Sequence, residues 1–233
     1  RLRLAIYSST IKPVAMPATM YIAKDKIKLY AEKSCTNKKL ELLWGDAVFL
    51  QEALGNKSTV KVRARGVPGF VKTAEINNTP LLEFYFIDVG QGDGVLIVTP
   101  DRKHIMIDGG YIRRKQLTKR NAADFVDWKF AKDYKKTKIT LDVMMTSHND
   151  EDHYGGLWDL INENEVSELE VMHIEVKEFY YAGINWMEKD GKRSLGPHEN
   201  DFWTLIPDSR AQLMKLLKPN NTGYQLQGQW KQF

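Results

Sequence analysis

Between residues 20 and 76, apolar and polar positions alternate or cluster in short runs: Lys26–Tyr30, Ala47–Gln51, Thr59–Val62 and Gly69–Lys72. Each run is bounded by Gly, Asn, Lys or Pro, and a period near two over four to six residues marks strands with one buried face. This stretch predicts a small all-β barrel. The polar, turn-forming Asn77-Asn78-Thr79-Pro80 ends that pattern and places a domain boundary, giving domains 1–78 and 79–233. Downstream, Glu83–Val89, Val95–Thr99 and His104–Asp108 read as consecutive antiparallel strands separated by Gly- and Pro-containing turns. Asn121–Tyr134 follows with apolar residues at Ala122, Phe125, Val126, Phe130 and Ala131, the three-to-four spacing of an amphipathic helix. Leu141–Thr146 is a nearly continuous apolar run and predicts a buried strand. A helix at Gly156–Asn162, a strand at Leu169–Val176 and a last helix at Asp208–Lys218 complete the expected elements. The Gln-rich tail Pro219–Phe233 reads as a loop.

Composition adds exclusions. With 42% hydrophobic and 27% charged residues, a 233-residue chain is neither disordered nor collagen-like, and its length allows one or two domains. The single cysteine, Cys35, has no intramolecular partner, which fits a reducing, cytoplasmic setting. Apolar runs stop far short of the roughly 18 residues needed to span a bilayer. Charge is uneven: residues 1–80 hold 14 Lys or Arg against 6 Asp or Glu, and the remainder holds 20 against 24. A basic first domain can bring a polyanion to an acidic second one, although a lysine-rich solvated face gives the same count.

The candidate chemistry lies where the buried strand runs into Ser147-His148-Asn149-Asp150-Glu151-Asp152-His153. His148, Asp150, Asp152 and His153 place four N and O donors in six residues, enough to reach two divalent metals roughly 3.5–4 Å apart. In an extended turn His148 and Asp150 point the same way and share one metal, while Asp152 and His153 turn toward a second. Gly155-Gly156 then lets the backbone pass close to the site before the helix begins. A calcium loop of the EF-hand type fits poorly. Counted from Asp150, its fifth position is Tyr154 and its twelfth, where a bidentate Glu belongs, is Ile161. A polar solvated turn holding two histidines is the bland alternative.

Three segments together, Asp88-Val89-Gly90-Gln91-Gly92-Asp93, Ile107-Asp108-Gly109-Gly110 and Ser147 to His153, resemble in order and spacing the hydrolase domain of the ComEC-like branch of the metallo-β-lactamase fold family. Asp150 stands where the wider family has histidine, as in that branch. The resemblance implies an αββα sandwich and two divalent cations, Zn²⁺, Mn²⁺ or Mg²⁺, with carboxylate ligands favouring the harder ions. It implies that His148 and Asp150 hold one metal, that Asp152 and His153 hold the other, and that Asp152 also orients the attacking water. Asp108 is implied as a carboxylate supporting the ligand loop, with Asp88, Gln91 and Asp93 beside it. Read as residues alone, these four are also turn formers around their glycines. The implied reaction is hydrolysis by a metal-activated water, with a phosphodiester in DNA as first choice of substrate. A small phosphoester, or a degenerate docking protein, are the other readings. Tyr180, Tyr181 and Trp186 could stack bases or simply cover a core. Residues 20–76 resemble a bacterial Src-homology-3-like domain, which implies docking of a regulatory protein partner. The resemblance reaches only the first half of the hydrolase fold, because the Thr-Gly-Asp and His-His-Gly-Ser elements that complete it do not occur in residues 79–233. His104, His173 and His198 read as structural rather than as substitute ligands.

Overall fold

A computed structural model describes residues 19–162, 168–171, 173–181, 186–205, 209–216, 224–227, 230 and 232–233. The chain forms two compact units, Arg1–Thr79 and Pro80–Phe233. Residues 1–18 of the first expected domain, and residues 208, 217 and 218 of the last expected helix, lie outside the described residues.

The first unit is antiparallel throughout: β1 (Thr19–Ile22), β2 (Lys26–Tyr30), β3 (Lys38–Leu43), β4 (Ala47–Leu50), β5 (Thr59–Ala64), β6 (Val67–Lys72) and β7 (Ile76–Asn77). They hydrogen-bond in the order β3-β2-β6-β5-β4-β1-β7. Alternation does the work in β2, where Ile27 and Leu29 are buried and Lys26 and Lys28 are exposed. Leu29, Leu42, Val48, Val60, Val62 and Val71 are fully buried in the common core, each contributing on the order of 1.5–3 kcal/mol of transfer free energy. The β3–β4 turn is made by Trp44-Gly45-Asp46. Gly45 takes φ 83°, while Asp46 accepts from the Leu43 amide at 2.7 Å and pairs with Arg65 at 2.7 Å.

The second unit is mixed α and β. Its main sheet runs β12-β11-β10-β9-β8, from β8 (Glu83–Phe86), β9 (Val95–Val98), β10 (His104–Ile107), β11 (Lys138–Thr146) and β12 (His173–Tyr181). β8, β9 and β10 are antiparallel neighbours, whereas β10, β11 and β12 run parallel. Leu96, Val98, Met106, Ile139, Leu141 and Met144 are buried in this sheet. So are Ala122 and Val126 of α1 (Ala122–Trp128) and Leu157 and Leu160 of α2 (Glu151–Ile161). The alternate positions Phe84 and Phe86 of the edge strand β8 stack at 6.5 Å and are 51% and 82% exposed. A smaller sheet joins β13 (Met187–Lys189), β14 (Lys192–Ser194) and β17 (Gln225–Leu226), and β15 (His198–Glu199) pairs with β16 (Phe202–Trp203). A short helix, α3, spans Arg210–Leu216. Among the described residues no helix is long and apolar enough to cross a membrane.

Several expected boundaries are corrected here. The helix expected at Asn121–Tyr134 is capped by Asn121, which closes a capping box with Asp124. It becomes a π-turn at Lys129–Asp133. That turn carries the buried pair Lys129–Asp133 at 2.7 Å, and Lys129 also donates to the Tyr85 hydroxyl at 2.9 Å. The strand expected at Leu169–Val176 begins at His173, because Glu170 and Val171 direct their amides to the Asp127 carboxylate instead of into the ladder. The tail is not simply a loop, since Gln225–Leu226 pairs with β13 and Trp230 is buried.

His104 opens β10 and packs against Phe130 at 4.8 Å and Tyr134 at 5.5 Å. Its Nε2 is buried without a hydrogen-bond partner. Burial first, then the Arg102 charge, pushes its imidazole down to about 4. The folded pKa lies below the unfolded one near 6.5, so the unfolded chain binds more protons between those values. Stability is therefore complete above pH 6.5 and falls as pH drops toward 4, by on the order of 2–3 kcal/mol. Urea midpoints measured at pH 7 and pH 4.5 should show this loss, and His104→Phe should shrink it.

Candidate metal centre

The site forms where two parallel strands end. β10 finishes at Ile107 and β11 at Thr146, so Asp108 and the Ser147–Asp150 turn emerge side by side at the carboxyl edge of the sheet, where ligands gather in open α/β sheets. Asp108 is 2% exposed and has φ 54°, the left-handed region that Asp tolerates better than most residues. Its carboxylate accepts the Ser147 amide at 2.8 Å, the Ser147 hydroxyl at 2.5 Å and faces His153 Nδ1 at 3.0 Å. That contact holds the proton on His153 Nδ1 and leaves Nε2 as the free donor atom. Nε2 lies 4.0 Å from Asp152 Oδ1.

The helix α2 starts at Glu151, five residues earlier than expected, so Asp152 and His153 occupy its first turn and do not lie on a loop. Two carboxylates in that turn, Glu151 and Asp152, suit the positive end of the helix. Gly155 and Gly156 lie inside the helix. Glycine weakens a helix, and these two are required by contact. A Cβ on Gly156 would stand 2.0 Å from the Gly109 carbonyl oxygen, and one on Gly155 2.4 Å from the Ile112 nitrogen. Backbone hydrogen bonds then join the two segments, Gly109 N–H to His153 O at 2.7 Å and Gly156 N–H to Gly110 O at 2.9 Å. Asp159, farther along α2, accepts from the Arg113 amide at 2.5 Å and from Asn121 Nδ2 at 2.7 Å, tying down the rest of the 109–121 loop.

A third segment closes the site. Gly92 has φ 96°, and a Cβ there would stand 1.7 Å from the Asp152 carbonyl oxygen. Gln91 Nε2 approaches Asp152 Oδ2 at 3.4 Å. Asp93, Asp108 and His153 bring one ligand atom each within 4.8 Å of one another, and together they are a possible metal-binding triad. Asp88 does not join them, because it accepts the Gly90 amide at 3.2 Å and shapes the turn. His148 is exposed. Its ring meets that of His153 edge-on at 4.9 Å, and its Nδ1 lies 3.6 Å from Asp150 Oδ2. The other Asp150 oxygen accepts Trp186 Nε1 at 2.8 Å and faces Arg193 at 3.9 Å.

An open cleft of about 610 Å³ adjoins Asp150 and Asp152, with Tyr111, Asn149, Tyr154, Trp186, Arg193 and Trp230 in its walls. Burial, with the Glu151 and Asp150 charges, pushes the Tyr154 phenol up, so it stays protonated. Sequence reading missed Ser147 and the Arg193 partnership with Asp150, and it placed the close backbone approach of Gly155-Gly156 before the helix instead of within it. Only the dense Gly pairs hinted at backbone contact. Among the other histidines, His104 packs in an aromatic cluster, His173 opens β12 and His198 faces Trp203 at 5.4 Å.

Fold and site define a mixed α and β protein of two units with a candidate cation site of one imidazole and clustered carboxylates. Compared with known proteins, the chain matches no family model, no curated protein and no solved structure.

Proposed function

We propose that this chain is a metal-dependent hydrolase that cleaves phosphodiester bonds, with DNA as its first substrate class, built on the metallo-β-lactamase αββα scheme. The Asp108–His153 pair carries this reading: a buried carboxylate that fixes a histidine and presents its Nε2 beside Asp152 is the arrangement by which proteins orient metal-ligating imidazoles. The donors suit borderline and hard divalent ions, Zn²⁺, Mn²⁺ or Mg²⁺. His153 and Asp152 would hold a cation with Asp93 nearby, and His148 and the free Asp150 oxygen would hold a second. Bound cations would supply a lowered water pKa and a polarised phosphoryl oxygen. Asp152, kept in place by Gln91 and the helix start, would orient the attacking water and accept its proton. The Gly-Gly contacts would keep these groups from drifting apart during turnover. The first unit, on its resemblance to Src-homology-3-like domains, would dock a regulatory protein.

The test is metal content of the full chain by plasma mass spectrometry, followed by hydrolysis of bis-p-nitrophenyl phosphate and of DNA before and after chelation. One to two equivalents of divalent metal per chain, with hydrolysis lost to chelator and restored by Mn²⁺ or Zn²⁺, are expected. A folded chain that retains no metal and hydrolyses neither substrate overturns the reading.

A further inference from the structure

The cleft beside the ligand loop has a wall that hydrolytic chemistry alone does not need. Trp186 is fixed at one edge by its indole N–H on Asp150, and Arg193 of β14 lies over its ring, the guanidinium carbon 3.4 Å from the centroid. A separation that short places guanidinium and indole in stacking contact. The Arg193 side chain remains 60% exposed, so the outer side of the guanidinium is available to the cleft. Trp230 and Tyr154 continue the wall, their rings 5.2 Å apart, and Tyr111 is also in the lining. Asn149, 4% exposed, lines the same cleft and has an Nδ2 without a hydrogen-bond partner.

Charge makes the assignment specific. The same lining carries Asp150, Glu151 and Asp152, which repel an anion, with one Asp150 oxygen 3.9 Å from Arg193. Arg193 is the cation in the lining, and Lys192 is its neighbour on the same strand. A volume of about 610 Å³ suits one nucleotide-sized ligand. We infer that this cleft seats one nucleotide of a single-stranded nucleic acid. Arg193, held flat by Trp186, takes the phosphate on its edge and a base against its outer face, since single-strand sites combine a cation with stacking planes. The inference rests on the hydrolase reading and specifies its substrate form. It also makes Arg193 a determinant of specificity that no ligand motif contains.

The experiment measures fluorescence anisotropy of a 5′-fluorescein-labelled single-stranded deoxythymidine decamer on the full chain, with Ca²⁺ present. Wild type, Arg193→Gln and Arg193→Lys are titrated across a salt series, beside wild-type hydrolysis of bis-p-nitrophenyl phosphate with Mn²⁺. Arg193→Gln should bind roughly tenfold more weakly, with the slope of log affinity on log salt smaller by about 0.7, the single-strand increment per phosphate contact. Arg193→Lys should keep the slope while losing affinity, because the charge remains and the stacked plane is gone. Matching melting temperatures exclude unfolding as the cause. If wild type hydrolyses the small ester and Arg193→Gln binds the decamer as wild type does, with the same slope, the cleft assignment is overturned and the hydrolase reading stands. If wild type neither hydrolyses the ester nor binds the decamer, the hydrolase reading is overturned, and the assignment with it.

Discussion

Gly156→Ala is expected to lower stability by about 3 kcal/mol or more and to abolish metal retention. The sign is what makes this prediction informative. In a helix interior, Gly to Ala ordinarily gains up to about 1 kcal/mol, and Gly156 lies in the middle of α2. Here the new Cβ would meet the Gly109 carbonyl oxygen at 2.0 Å and carbon at 2.7 Å, atoms of a backbone that no rotamer change can move aside. Relief requires α2 to separate from the 108–110 segment, which breaks the Gly109–His153 and Gly156–Gly110 hydrogen bonds and draws His153 away from Asp108. Urea unfolding monitored by tryptophan fluorescence gives the stability change, and plasma mass spectrometry gives the metal. A stabilised Gly156→Ala would show that the two segments are not in this contact.

Asp108→Asn is expected to weaken divalent-metal affinity by roughly 10- to 100-fold while leaving the fold intact. Asn adopts the left-handed conformation as readily as Asp, so φ 54° at this position is no obstacle. Its amide oxygen can still accept the Ser147 amide. The other half, now an NH₂ group, cannot accept from the Ser147 hydroxyl or from His153 Nδ1–H, which the carboxylate does at 2.5 and 3.0 Å. His153 then turns or changes tautomer, and Nε2 no longer stands ready as a ligand. Competition against a fluorescent zinc chelator measures the loss. Unchanged affinity would remove Asp108 from the support of the site.

Much of this structure was legible because it is written in local patterns. The alternation in Lys26–Tyr30 places β2, and Asn121 followed by Asp124 marks the start of α1. The cluster at 148–153 and its association with Asp108 could be anticipated from the motifs and the resemblance they carry. What failed depends on distant partners. Gly155-Gly156 reads as a close backbone passage ahead of the helix, and its place inside the helix emerges only with the approach of Gly109 and Gly110, which leaves no room for side chains. The strand expected from Leu169 starts late because Asp127, over 40 residues away in sequence, takes two amides at its front. Asp93 and Asp88 looked equivalent in their glycine-rich loop. Folding turns Asp93 toward His153 and leaves Asp88 closing a turn. Nothing in the spacing ties Arg193 to Trp186 or either to Asp150.

Among the described residues, β8 ends its sheet with no strand beyond it and carries two outward phenylalanines. Such an edge is a template for strand pairing between molecules unless charge discourages it. Of the acids that bracket it, Glu83 is already matched by Arg102 at 3.0 Å, so Asp88, exposed just past the strand, supplies the like-charge repulsion between approaching copies. High salt screens that guard, so pairing of copies through this edge is expected to grow with ionic strength.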